Sequence, residues 1–192
     1  IVFGDWSSDV CSSDLCQVRR RLAALRGVLE LRQKVLQASR QFLSSQGFLE
    51  IDTPVRLAAP ALEDYIDAEP SGPCWLRTSP ELHMKRLLAA GYERIFQIGP
   101  CFRRGERGRQ HLPEFTMLEW YRLGADWRDI LADAVGLLRA VAAAAGIKGP
   151  IRFRGRAVDL LREWEEITVD EAFRRHAGVT LDDALRDGRF EE

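Results

Sequence analysis

Apolar side chains recur along this chain at two different spacings. From residue 22, Leu22, Leu25, Val28, Leu29, Val35, Leu36, Phe42 and Leu43 return at the period of one helix face, and Gly47 offers a left-handed stop. The pattern predicts one long amphipathic helix over 22–46. Residues 48–52 then mix apolar and acidic side chains as a half-buried strand does, ended by Thr53-Pro54. Residues 56–73 read as loop with a short strand around Tyr65 and Ile66, and Trp75-Leu76-Arg77 as a brief extended run. Ser79-Pro80 announces a helix, with serine at the cap and proline at the first position, and Gly91 closes it.

Two strands, 94–103 and 114–121, flank a polar loop over 104–113, and the second is rich in Phe, Thr, Trp and Tyr. They predict an antiparallel hairpin with a long, arginine-bearing loop. A helix over 127–145 follows, then a Gly149-Pro150 turn, a weaker β segment over 151–158, and a helix opened by Thr168 and Glu171 as a capping box and stopped at Gly178. The expected fold class is α+β, an antiparallel sheet flanked by helices.

The composition limits what such a fold can be. With 192 residues, 46% hydrophobic and 30% charged, the chain buries a sizeable core. Its formal net charge of −1 asks for neither a nucleic-acid nor a membrane partner. No run approaches the roughly 18 apolar residues of a membrane span. Cys11, Cys16, Cys74 and Cys101 form no C-x-x-C pair, so a reducing, cytoplasmic setting is the expectation. Residues 1–15 break the pattern: Asp5 to Leu15, DWSSDVCSSDL, resembles a translated sequencing adapter. They are expected to be disordered and outside the fold, which leaves 16–192 as the folded part.

Candidate chemistry gathers in three places. Glu81, at a helix start, suits a substrate ammonium. Arg103 sits at a strand end, where a planar guanidinium meets phosphate or carboxylate through paired donors. Alternation puts Phe115, Met117, Glu119 and Tyr121 on one face of the return strand, so that Phe115 is available to an adenine ring while Glu119 and Tyr121 point into the same cleft. Arg104, Arg107 and Arg109 read either as a solvated basic loop or as a cationic loop beside a triphosphate.

Three of these segments resemble the motifs of class II aminoacyl-tRNA synthetases. The helix and strand over 22–54 resemble motif 1, which builds a dimer interface; Phe102-Arg103-Arg104-Gly105-Glu106 with His111-Leu112-Pro113-Glu114-Phe115-Thr116 resembles motif 2, which holds ATP; and Thr78-Ser79-Pro80-Glu81-Leu82, within 77–91, resembles the amino-acid-binding segment of the lysine subgroup. The resemblance covers about 22–178, with motif 2 over about 94–122. It implies lysine-contacting roles for Ser79, Pro80, Glu81 and Tyr121, and ATP-contacting roles for Arg103, Arg104, Gly105, Glu106, His111, Leu112 and Phe115, with Arg103 also catalytic. The family often has Arg-Asn-Glu at 103–105, so Gly105 stands in place of an acidic side chain that Glu106 supplies one position later, and Leu112 stands where Asn is frequent.

LRTSPELHMKRLLAA and PEFTMLEWYR look more like the elongation factor P lysine ligases than like lysyl-tRNA synthetases. The implied activity is ATP-dependent activation of lysine or (R)-β-lysine and its transfer to a lysine of elongation factor P, with Mg²⁺ accompanying ATP and a homodimer as the assembly. Lysyl-tRNA synthetase, with tRNA-Lys as acceptor, is the alternative; a non-catalytic synthetase-like binding protein is a third. Motif 3 is not found, so the chain is expected to be an inactive fragment that supplies no metal ligands of its own.

Overall fold

Leu43, Phe48 and Phe96 lie at the centre of the larger of two units in the computed structural model, which describes residues 12–61 and 63–186. The units divide between Lys148 and Gly149.

The first unit begins with two helices, α1 (Ser12–Ala24) and α2 (Arg26–Ser45), where one was expected. The interruption is the single residue Leu25, two positions before Gly27, a poor helix former, and helical bonding runs through it: Leu25 N–H donates to the Arg21 carbonyl and Leu29 N–H to that of Leu25. Residues 1–11 of the segment expected to be disordered lie outside the described residues. Ser12 to Leu15 do not fit that expectation, since they form the first turn of α1, where extending an existing helix needs no new nucleus. The C-terminal half of α2 buries Ala38, Ser39 and Leu43, whereas Val28, Leu29 and Leu31 nearer its start are exposed. Gly47, at φ +81°, turns the chain so that Phe48 N–H bonds back to the Leu43 carbonyl.

β1 (Leu49–Glu50) is shorter than its pattern suggests. It also departs from the antiparallel expectation, for it pairs in parallel with β5, Leu49 opposite Ile95 and Glu50 opposite Phe96. Both strands follow a helix and leave it in the same direction. β2 (Arg56–Leu57), β3 (Pro70–Ser71) and β4 (Cys74–Leu76) make a small antiparallel sheet in the order β2-β4-β3. No strand forms at Tyr65 and Ile66: Tyr65 is fully exposed at φ +65°, a turn conformation that cannot join a ladder.

α3 (Glu81–Ala89) leads into β5 (Arg94–Phe102), which pairs with β6 (Glu114–Arg122) over nine residues, from Arg94 opposite Arg122 to Phe102 opposite Glu114. Ile95, Phe96 and Gln97 of β5 are buried beneath this hairpin. α4 (Trp127–Ala144) opens on a complete capping box between Asp126 and Asp129 and packs on α2. Gly136 makes the packing close, because a Cβ there would stand 2.6 Å from the Phe42 ring. Arg122 forks onto both Asp133 oxygens at 3.0 Å, fastening the end of β6 to the same helix.

The second unit holds a hairpin, β7 (Ile151–Phe153) and β8 (Arg156–Val158), followed by α5 (Val169–Ala177) and α6 (Leu181–Arg186). Thr168 caps α5 by accepting from Glu171 N–H, and Gly178 ends it at φ +71°.

Candidate active site

The site stands on one face of β6 and on the residues that enter and leave β5. α3 packs against both strands and presents its N-terminal turn to them. There the Ser79 Oγ accepts from Glu81 N–H at 3.1 Å, the capping bond expected of Ser79, while the Pro80 carbonyl accepts from His83 and Met84 N–H.

The same Ser79 hydroxyl donates to Glu119 Oε2 at 3.0 Å, and the Tyr121 hydroxyl donates to Glu119 Oε1 at 2.6 Å. Each Glu119 oxygen thus holds one neutral donor, and a carboxylate has lone pairs left for a cation. Burial, and after it the hydrogen bond to Glu119 and the charges of Glu119 and Glu81, push the Tyr121 phenol far above the ordinary tyrosine value. It stays protonated and donating. Glu81, the first residue of α3, pairs with Lys85, and that bond raises the Lys85 pKa. Thr78 donates to Glu63 Oε2 at 3.1 Å, which ties the loop before β3 to the same corner.

Four residues on from Phe115, Glu119 lies about 13 Å farther along β6 at roughly 3.3 Å per residue. At the Phe115 end, the Arg103 guanidinium covers the ring at 5.2 Å, and its Nη1 stands 3.9 Å from Glu106 Oε1. Arg103 Nε is buried without a hydrogen-bond partner. Backbone bonds hold the flanks: Arg103 N–H donates to the Pro113 carbonyl and Arg104 N–H to that of Asp67, each at 2.8 Å. Gly105 takes φ +75°, turning the chain away, and the loop closes through Gly108 N–H on the His111 carbonyl. Arg103, Gly105, Glu106, Arg107 and His111 line an open cavity of about 400 Å³.

Residues 15–190 match the family model of tRNA synthetases class II (D, K and N). The chain belongs to this family. Among curated proteins, this synthetase chain is 37% identical over 157 residues to the lysine–tRNA ligase of Pelotomaculum thermopropionicum, covering 79% of this chain and 31% of that protein. It is 34% identical over 155 residues to the lysine–tRNA ligase of Pediococcus pentosaceus, covering 77% and 31%. It is 32% identical over 170 residues to that of Burkholderia mallei, covering 86% and 34%. The chain therefore spans about a third of the length of the curated relatives it matches.

Within this synthetase fold, the residues singled out in the sequence fall into two groups. Ser79 and Tyr121 converge on Glu119, with Pro80 and Glu81 beginning the helix beside them, while Arg103, Gly105, Glu106 and His111 surround the cavity. Arg104 and Leu112 do not line it, and Leu112 is exposed. Phe115 stacks with Arg103. Two residues gain importance from the structure. Glu119 joins Ser79 to Tyr121, a role signalled only by its spacing of two from Tyr121 on the same strand face. Arg107 enters the cavity from what reads in sequence as an undifferentiated basic loop. Among the described residues, no group of three or more His, Cys, Asp or Glu side chains is arranged to hold a metal ion, and no helix is long and apolar enough to cross a membrane.

Proposed function

We propose that this chain carries the lysine-activating site of an ATP-dependent lysine ligase. One observation carries the reading: the Glu119 carboxylate, already oriented by Ser79 and Tyr121, shares one face of β6 with Phe115, over which the half-buried Arg103 rests with an unused donor. The first feature suits a lysine ammonium, assisted by Glu81, and the second an α-phosphate.

The residues fit ATP in charge and in shape. Arg103 Nε lacks an acceptor, the cavity beside it is bordered by Arg107 and His111, and Phe115 offers a ring face to a purine. Bound there, ATP supplies an electrophilic α-phosphorus. A carboxylate oxygen of lysine forms a bond to that phosphorus, the bond to pyrophosphate breaks, and pyrophosphate leaves. Arg103 neutralises and orients the two anions that must approach. Mg²⁺ suits this site as a companion of the triphosphate, since it favours phosphate oxygens and water over a cage made wholly of protein.

For the acceptor of the activated lysine, tRNA is the reading that the lysine–tRNA ligases among the relatives support. The elongation factor P acceptor implied by the resemblance of 76–90 and 113–122 gives way to it as the main reading. Elongation factor P stays as a second reading because the segment that resembles its ligases, LRTSPELHMKRLLAA, supplies the Ser79 hydroxyl that bonds Glu119. Homodimerisation through motif 1 is supported by the exposed apolar side chains of Val18, Leu22, Leu25, Val28 and Leu29.

Lysine-dependent ATP–pyrophosphate exchange by the full-length protein tests the activation step. Exchange that Arg103→Ala lowers by roughly 10²–10³-fold is the expected result, and exchange unaffected by that change would remove Arg103 from the mechanism. Supplying labelled lysine or (R)-β-lysine together with tRNA or elongation factor P then identifies the acceptor by which one becomes labelled.

A further inference from the structure

Arg77 is 1% exposed, and among the described residues no carboxylate pairs with it. A buried guanidinium without a counter-charge is costly unless its donors are well used. Its Nε donates to the Pro100 carbonyl at 2.8 Å, and its Nη1 donates to both the Thr53 carbonyl, at 2.6 Å, and Thr53 Oγ1, at 3.0 Å, while Nη2 is buried with no hydrogen-bond partner. Its main chain repeats the pattern, with N–H on the Val55 carbonyl and C=O accepting from Phe102 N–H, each at 2.9 Å. One residue therefore grips the 53–55 loop on one side and residues 100 and 102 of β5 on the other. Gln97, also buried, supports the same corner by accepting from Thr53 N–H.

Its neighbours in sequence and space give this arrangement a functional meaning. Thr78 and Ser79, which follow Arg77 directly, lead into the Glu119 pocket, and Phe102, which bonds its carbonyl, directly precedes Arg103. We infer that Arg77 is a positioning residue, the common anchor that sets the distance between the lysine-binding pocket and the Arg103 guanidinium. This rests on the function proposed above. Gly99 is part of the device, because a Cβ there would stand 2.5 Å from Arg77 Nη2 and 3.2 Å from Gln97 Nε2. Only glycine lets the guanidinium lie against β5.

Two variants attack the anchor differently. Arg77→Lys keeps the charge but cannot reach Thr53 and Pro100 together, and Gly99→Ala keeps Arg77 but displaces its guanidinium. Both are expected to lower kcat for lysine-dependent ATP–pyrophosphate exchange by about 100-fold, the effect of a misplacement near 1 Å. KM for lysine and for ATP should change little, because each half-site stays whole. Hydrogen exchange by NMR supplies a readout independent of catalysis: the Phe102 amide should exchange at least about tenfold faster in both variants, with the Ile95 and Phe96 amides unchanged. A rise in KM with kcat intact, an unaltered Phe102 amide, or equal acceleration along all of β5 would each overturn the assignment. Absence of exchange activity in the unmodified protein would instead sink the proposed function, and the amide measurement would still judge the anchor.

Discussion

The two ends of the site differ in how much of their hydrogen bonding the protein supplies. At the Glu119 end, proposed for the lysine ammonium, both Glu119 oxygens, the Ser79 and Tyr121 hydroxyls and the Glu81 amide are bonded to one another. At the Arg103 end, proposed for the triphosphate, Arg103 Nε has no acceptor, and the loop from 104 to 112 is exposed or half-buried and closed by few backbone bonds. A pocket for a compact ammonium gains affinity by being ordered in advance, since little entropy is then lost on binding. A site for a flexible triphosphate whose charge redistributes during reaction is served by donors that the substrate itself completes.

The sharpest way to break this contrast is at Arg103. Arg103→Ala is expected to reduce exchange by roughly 10²–10³-fold, the usual consequence of removing one donor aimed at developing charge. A smaller effect follows at the other end. Glu119→Gln keeps the shape of the pocket and removes its charge, a change worth about 1.5–3 kcal/mol. KM for lysine should rise roughly 10- to 150-fold, with KM for ATP unchanged; a matching rise in the ATP value would mean that the two ends are not separate.

Tyr121 sharpens the comparison through pH. Its raised pKa means that the folded protein keeps the phenol proton at a pH where an unfolded tyrosine has released its own. The stability it contributes is therefore complete below about pH 10 and is lost as pH rises beyond that toward the folded value. Denaturant melts should show the native protein losing stability faster than Tyr121→Phe above that pH, and parallel curves would disprove the linkage. The smallest change is expected for Ser79→Ala, which loses the α3 cap and one Glu119 bond: about 1 kcal/mol of stability, or about 2–4 °C in Tm, read by calorimetry.

Much of this arrangement is legible in the order of residues. The hairpin over 94–122 follows from two β-rich runs around a polar loop, the start of α3 from Ser79-Pro80, and the shared face of Phe115, Glu119 and Tyr121 from strand alternation. All three are local, because they depend on neighbours a few positions apart. Other features are not local. The parallel pairing of β1 with β5 joins residues some 46 positions apart, and nothing near Leu49 announces its partner. Tyr65 looks like a strand residue by type, yet the loop that carries it takes a left-handed turn there.

The two arginines that frame the site mark where local reading ends. Arg103 is recognisable from its motif, because the chemistry proposed for it needs a particular residue type at a particular place in a hairpin. Arg77 looks in sequence like any basic residue after a short strand. Its burial, its grip on Thr53 and Pro100, and its need for glycine at position 99 arise only when three separated segments meet. Residue order alone set which side chains share a strand face or open a helix, and so which are on offer for the recognition proposed, since periodicity and capping act over a few residues. Tertiary packing alone decided how far apart those side chains stand, since that distance is set by hydrogen bonds between segments that sequence order keeps apart.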